Sequence, residues 1–308
     1  MTRCWCRRPP DELSGRATRD YASDVVARGR AHRARSGRTA PVSRCRGCRP
    51  RYSALALIER DTERVVTVQF VGSGDAFGSG GRFQACISLR WAHAHVLLDC
   101  GASSLVALKR LNLEPSSIDA VVISHLHGDH FGGIPFLVLD QQFGRRERPL
   151  LVAGSPGLGK RVIEAMDVLF PGSAQVRRRF ELRLVELPER RAVQVGPVEV
   201  TAVPVVHASG AQAYGLRVVA DDKLVAYSGD TEWTDALLEL AAGADLLICE
   251  AYVFDKPIKY HLSYAALHEH RARLGCRRMV LTHPSDDLLQ RRSAVDAELA
   301  EDGLVLTI

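Results

Sequence analysis

Several things are scarce in this chain of 308 residues, and each scarcity narrows what the protein can be. No apolar run approaches the ~20 residues of a membrane-spanning helix, which excludes a helical membrane protein. No apolar signal core follows Met1. Of the eight cysteines only Cys86, Cys100, Cys249 and Cys276 lie beyond residue 60, too few to staple a body of this size. A reducing cytoplasm is therefore the expected setting. No internal repeat and no linker composition interrupt residues 65–308, so one domain is expected there.

Basic charge is also scarce where it would matter. The net charge is +5, yet residues 1–60 alone carry 15 Arg against five Asp or Glu. The remaining 248 residues hold 26 basic and 31 acidic side chains, a net of −5. An acidic body offers no basic footprint for nucleic acid spread over the fold. Residues 1–62 are read as a basic, disordered extension, or as an upstream stretch outside the true start. Their pairs Cys4/Cys6 and Cys45/Cys48 leave a four-thiolate zinc site as an alternative, and their Arg content a transit peptide. Residues 63–308 are taken as the working domain.

From residue 65 the texture is globular. Strand patterns recur at 65–71, 86–89, 96–98, 120–124, 198–206, 215–219, 224–228, 246–249 and 279–282. Helical patterns lie at 103–111, 158–169, 234–242 and 263–274. Two β-rich stretches, each followed by helices, predict two sheets between helix layers.

The segment richest in chemistry is His125-Leu-His-Gly-Asp-His130, directly after the apolar strand Ala120-Val-Val-Ile-Ser124. Three imidazoles and a carboxylate on one tight turn suit zinc and similar metals. One such cluster cannot close two metal sites, so further ligands should stand at later strand ends. His207 ends Val203-Pro-Val-Val-His, Asp230 sits in Ser228-Gly-Asp-Thr231, and His283 ends Val280-Leu-Thr-His.

This pattern resembles the metallo-β-lactamase fold superfamily and, within it, the ribonuclease Z-like branch. The likeness covers roughly residues 65–308 and includes Gly72-Ser-Gly-Asp-Ala-Phe77 and Leu98-Asp-Cys-Gly101. It implies an α/β fold, an αββα sandwich of two mixed sheets flanked by helices, around a dinuclear centre. By resemblance His125, His127 and His207 hold one metal, Asp129, His130 and His283 the other, and Asp230 bridges both. The two metals would share a hydroxide that attacks a phosphodiester, with Asp129 orienting it. Zinc is the default, and a His/Asp set without thiolate also accepts manganese or iron. Glu250, ending Leu246-Leu-Ile-Cys-Glu, and His261, opening His261-Leu-Ser-Tyr264, resemble a pair in which His protonates the leaving oxygen and Glu orients it. The family usually shows Thr or Ser after that His, where Leu262 stands here.

Only 22 residues separate His207 from Asp230, enough for two strands and a turn. Enzymes of this branch that mature tRNA 3′ ends commonly carry a long tRNA-gripping arm at that place. Its omission favours small, including cyclic, phosphodiesters over RNA, although both stay open as substrates. Rivals on the same fold are lactone, thioester and sulfate-ester hydrolases and a non-catalytic metal-binding module. No membrane partner is expected, and a homodimer is among the expected assemblies. Other features lead elsewhere less well. Gly154-x4-Gly-Lys160 is followed by Arg161, where a P-loop needs Ser or Thr. Arg145–Arg148 and Arg177–Arg179 are read as solvated loops with phosphate contact as the alternative, and His93, His95, His268 and His270 as solvent-facing or packed.

Overall fold

Every residue of Leu246-Leu-Ile-Cys-Glu250 is buried, and its side chains alternate between two apolar clusters: Leu246 and Ile248 in one, Leu247 and Cys249 in the other. A strand buried on both faces requires a packed layer on each side of its sheet. The computed structural model, which describes residues 65–308, supplies those layers. The expected extension over residues 1–62, with its cysteine pairs, lies outside the described residues.

The first sheet contains β1 (Thr67–Gly72), β2 (Cys86–Trp91), β3 (Ala94–Leu98), β4 (Ala120–Val122), β5 (Leu150–Gly154) and β6 (Leu182–Glu186). The second contains β7 (Val193–Val195), β8 (Val198–Pro204), β9 (Tyr214–Ala220), β10 (Lys223–Tyr227), β11 (Leu246–Glu250), β12 (Met279–Thr282) and β13 (Glu298–Leu299). The last strand, β14 (Val305–Thr307), returns to the first sheet beside β1, giving the orders β14-β1-β2-β3-β4-β5-β6 and β13-β12-β11-β10-β9-β8-β7. Each sheet is mixed. Strands β3 to β6 run parallel, as do β10 to β13, while β1, β2 and β14 and the β7–β10 stretch pair antiparallel.

Val68, Phe70, Leu89, Val96 and Leu98 of the first sheet share one core with Val200, Leu216, Val218 and Val225 of the second. The outer face of the first sheet is covered by α1 (Ser104–Arg110), α3 (Ile134–Phe143) and α4 (Leu158–Leu169), with the short α2 (Gly128–Phe131) before α3. The outer face of the second is covered by α5 (Ala236–Ala241), α6 (Tyr264–His270) and α7 (Asp286–Gln290). This is the expected αββα sandwich. Helix α3 escapes sequence periodicity because its less buried face also carries apolar residues, Phe136, Leu139 and Phe143, so no polar stripe sets off the buried face of Ile134, Leu137, Val138 and Gln141. No helix among the described residues is long and apolar enough to cross a membrane.

The strand directions settle the fate of the arginine clusters. Arg145–Arg148 precede β5 and Arg177–Arg179 precede β6, whereas the metal-ligand candidate His125 follows β4, parallel to both. The clusters therefore stand at the opposite edge of the sheet. Arg146 is no solvated side chain: it is buried and donates to the carbonyls of Ser116, Ile118, Arg148 and Pro149. The Gly154–Lys160 segment is the end of β5, a turn with Gly157 at φ +88°, and the start of α4.

His95 is only 4% exposed, between the hydroxyls of Ser88 (2.9 Å) and Ser117 (2.8 Å). Burial, reinforced by Arg90 and Arg148, pushes its pKa down to about 4. The unfolded chain takes up this proton near pH 6.5, so stability is retained above that pH and lost as pH falls toward 4. The loss should reach roughly 2–3 kcal/mol from this residue. Urea unfolding at pH 7 and pH 4.5 should therefore show a smaller pH difference for His95→Gln than for the native chain; an equal difference would exclude this role.

Candidate metal centre

The candidate ligands follow strand ends that point the same way. His125 and His127 follow β4, His207 follows β8, Asp230 follows β10, Glu250 ends β11 and His283 follows β12. Strands β8 and β10 both pair antiparallel with β9 and so share a direction with β11 and β12. Backbone bonds bring the two sheets together here, since the Tyr214 N–H of β9 donates to Ser124 O beyond β4 at 3.0 Å.

Local geometry aims the side chains. Gly229 has φ +56°, and a Cβ there would lie 2.8 Å from the Ser124 Cβ, so a glycine is required for the turn that presents Asp230. Gly101 lets the chain after β3 press against the His125–His130 loop, where a Cβ would lie 2.2 Å from Asp129 O. His283 itself sits at φ +60°, held by its N–H donating to Ser73 O at 2.9 Å. A non-glycine residue in the left-handed region is a local cost that the surrounding bonds must overcome.

The expected ligands fall into two groups. Donor atoms of His125, His127 and His207 lie within 4.8 Å of one another, and so do those of Asp129, His130, Asp230 and His283. In the second group His130 Nε2 is 3.3 Å from Asp129 Oδ2 and from Asp230 Oδ1, and His283 Nε2 is 3.3 Å from Asp129 Oδ2. Asp230 directs Oδ1 to that group, and Oδ2 toward the first, 3.8 Å from His125 Nε2 and 3.9 Å from His207 Nε2. One carboxylate thus offers an oxygen to each group. His125 Nε2 and Asp230 Oδ1 are buried without hydrogen-bond partners, which is costly unless something else engages them. Ligands bound tetrahedrally at 2.0–2.1 Å stand about 3.3–3.4 Å apart, so these separations and this donor set fit a divalent metal in each group.

The two groups differ electrostatically. Burial and the neighbouring His130 push His125 well down, and burial with His207 lowers His127, whose Nδ1 lies 3.0 Å from His207 Nε2. In the second group burial opposes charge, but Asp230, Asp129 and Asp99 outweigh it and raise His130. The same contest, won by Asp230 with Asp129 and Glu250, carries His283 up to about 10. Burial pushes the Asp129 and Asp230 carboxyls up, yet His130 and His283 overcome it and hold both below the usual carboxylate range.

Beside the groups lies the expected pair. His261 Nδ1–H donates to Glu250 Oε1 in a short hydrogen bond, and Glu250 Oε2 accepts from the N–H groups of Thr231 (2.9 Å) and Leu262 (3.2 Å). Leu262 thus serves through its backbone, while its side chain packs in the core, 1% exposed. Burial lowers the His261 pKa, but the bond to Glu250 and the charges of Glu250 and Asp230 raise it overall. Tyr252 stacks on the His261 ring at 4.6 Å. Asp230, Glu250, His261 and His283 form an overlapping third grouping.

Sequence reasoning assigned no role to Asp99, although it stood in a quoted motif. Its buried carboxylate accepts from Ser124 N–H (2.7 Å), Ser124 Oγ (2.8 Å), Tyr227 OH (2.8 Å) and His130 Nδ1–H (2.7 Å). The last bond turns His130 Nε2 toward its group. The signal was available: an aspartate closing the wholly apolar run Val96-Leu-Leu98.

A family model described as "Anti-Pycsar protein Apyc1" matches residues 66–304, and the chain belongs to that family. Ribonuclease Z of Anoxybacillus flavithermus is 26% identical over 274 residues, covering 70% of this chain and 86% of its own length. The metallo-β-lactamase fold protein YhfI from Bacillus subtilis superposes with a TM-score of 0.66 at 20% identity, over 80% of this chain and 100% of its own. The short form of human tRNase Z superposes with a TM-score of 0.64 at 25% identity, over 78% of this chain and 98% of its own. The fold is therefore the metallo-β-lactamase fold, in its ribonuclease Z-like branch.

Metal analysis after dialysis tests the grouping. Asp230→Ala should lose metal from both groups, and Asp99→Asn should weaken metal affinity about 10- to 100-fold. His261→Ala should keep the native metal content; a loss there would make His261 a ligand.

Proposed function

We propose that the chain is a metal-dependent hydrolase of phosphodiesters whose preferred substrates are small, including cyclic, diesters. The observation that carries this reading is the Asp230 carboxylate, with one oxygen toward each ligand group, beside the His261–Glu250 pair. His125, His127 and His207 would hold one divalent ion, Asp129, His130 and His283 the other, and Asp230 both. Zinc is the proposed metal, and manganese or iron suit the same thiolate-free set. Divalent ions held there supply Lewis acidity and lower the pKa of water toward neutrality.

The remaining chemistry belongs to the chain's own groups. Asp129, kept ionised by His130 and His283, accepts a hydrogen bond from the attacking water and aims it at phosphorus. Glu250 fixes His261 with its proton on Nδ1 and raises its basicity, so the ring is charged at higher pH than a free imidazole. The other nitrogen then faces the leaving oxygen and gives it a proton. All these groups come from one chain, so a second copy is not required to complete the site. The described cysteines are unpaired, which supports the cytoplasm as its compartment.

Two observations support small substrates. Strands β9 and β10 are joined through a tight turn at Asp221-Asp222, both at positive φ, with no protruding arm. Residues 61–308 carry a net −5, and the arginine clusters stand at the far edge. A polyanion bound through phosphate contacts has little to hold near the metals.

Turnover of bis(p-nitrophenyl) phosphate and of a nucleoside 3′,5′-cyclic phosphate should be stimulated by Zn²⁺ or Mn²⁺. His261→Ala should lose about 10²-fold or more on the cyclic diester and far less on the activated ester, whose leaving group needs no proton. Equal losses on both would remove His261 as the acid. Accurate precursor-tRNA trimming near physiological salt, faster than small-diester cleavage, would overturn the size preference.

A further inference from the structure

Two of the proposed histidine ligands are aimed through their own rings. The Nδ1–H of His130 donates to Asp99 at 2.7 Å, and that of His207 to Tyr260 O at 2.7 Å. His283 lacks such a bond: its Nδ1 is buried without a hydrogen-bond partner among the described residues, and Glu250 Oε1 stands 3.6 Å away. Its ring is therefore aimed by the backbone, which turns at φ +60° directly after β12. That turn is unfavourable for a residue with a side chain, so it needs a fixed acceptor for the His283 N–H. The acceptor is Ser73 O at 2.9 Å, which the Thr282 hydroxyl also reaches at 3.3 Å.

Ser73 is itself held from a distant part of the chain. It is wholly buried just after β1, and its N–H, hydroxyl and carbonyl are all engaged. The N–H and the hydroxyl both donate to Asp302 Oδ1, each at 2.9 Å and across 229 residues of sequence. The Ser73 Oγ in turn accepts from Arg82 Nη1 at 2.8 Å, and the same nitrogen donates to Ala300 O at 2.6 Å. The second oxygen of Asp302 accepts from Phe83 N–H at 2.7 Å. One carboxylate thus clamps both ends of the loop between β1 and β2. Asp302 lies where the chain crosses from β13 of the second sheet to β14 of the first. That crossing is fixed on both sides: Ala300 N–H donates to Leu281 O at 2.8 Å, and Gly303 N–H to Phe70 O at 2.7 Å.

We infer that Asp302, together with Arg82, is a positioning residue for the metal proposed at Asp129, His130, Asp230 and His283. It holds the Ser73 carbonyl where that carbonyl keeps His283 turned toward Asp129 and Asp230. The inference rests on the proposed role of His283 as a ligand. The hydrogen bonds of Asp302 go to Ser73 and Phe83, so it acts on His283 only through Ser73. The first ligand group has no such link, since His125 and His127 follow β4 and His207 follows β8. Loss of the clamp should weaken one metal and spare the other, whereas a general loss of packing would weaken both.

Co²⁺ titration of the metal-free full chain, followed by visible absorption, tests this without turnover. The native chain should take up two equivalents, one for each ligand group. Asp302→Ala should bind one ion with native affinity and the other about tenfold or more weakly. Ser73→Ala removes only the hydroxyl between Asp302 and Arg82; it should weaken the same ion about fivefold, and it decides the matter if Asp302→Ala does not fold. Leu306→Ala opens a cavity beside the same crossing, where Leu306 is 5% exposed, and should spare both ions. In a His283→Ala chain, the Asp302 and Ser73 substitutions should cause no further loss. Native affinity for both ions in the two clamp variants, equal weakening of both, the same selective loss in Leu306→Ala, or an undiminished effect in the His283→Ala chain would each overturn the inference. All four outcomes would leave the proposed reaction standing. A native chain that binds no Co²⁺ would overturn the metal-dependent reading, and this inference with it.

Discussion

The carboxylate of Asp99 receives four hydrogen bonds at the edge where the two sheets meet, and much of the site hangs from it. A buried, fully desolvated carboxylate costs several kcal/mol unless donors replace its water. Here those donors come from three places. Ser124 lies just beyond β4, His130 sits in α2, and Tyr227 ends β10 of the other sheet. The same group therefore ties the sheets together, fixes the tautomer of His130 and helps raise its pKa. Asp99 stands at φ +59°, a conformation that this web of bonds sustains.

Around that anchor the charges are arranged so that the two ligand groups offer different chemistry. In the first group, burial and neighbouring imidazoles lower the pKa values of His125 and His127. The other group sets two carboxylates against two histidines, which raises the pKa values of the histidines and lowers those of the carboxylates. Asp230 belongs to both and is almost wholly buried, so its two oxygens are committed by position. Glu250 extends the network outward, to His261 in a short bond and toward His283 at 3.6 Å. The proposed acid thus shares its orienting carboxylate with a proposed metal ligand.

The proposed preference for small substrates rests on what surrounds this edge. A β9–β10 hairpin closed by a tight turn places no protruding arm beside the candidate metal site. The arginines that a polyanion would seek lie at the other ends of β5 and β6. Arg146 among them is spent on backbone carbonyls.

The candidate ligands were legible in the sequence because chemistry of this kind leaves local traces. His125–His130 after an apolar strand, and His207, Asp230 and His283 each at a strand end, can be read without coordinates. So can the layered class, because doubly buried strands and amphipathic helices have distinct periods. Helix α3 could not be read, since apolar residues on its less buried face blur its period, and short edge strands such as β13 and β14 carry too few residues to announce themselves. The sequence also determined the absence of an arm, through the short spacing from His207 to Asp230. What only tertiary structure decided are relations between distant residues: Asp99 meeting Tyr227 and His130, Leu262 serving Glu250 by its backbone, and the arginine clusters falling on the far edge. Hydrogen bonds and strand direction act through space, and a chain read in order carries no record of which of its distant segments will be neighbours.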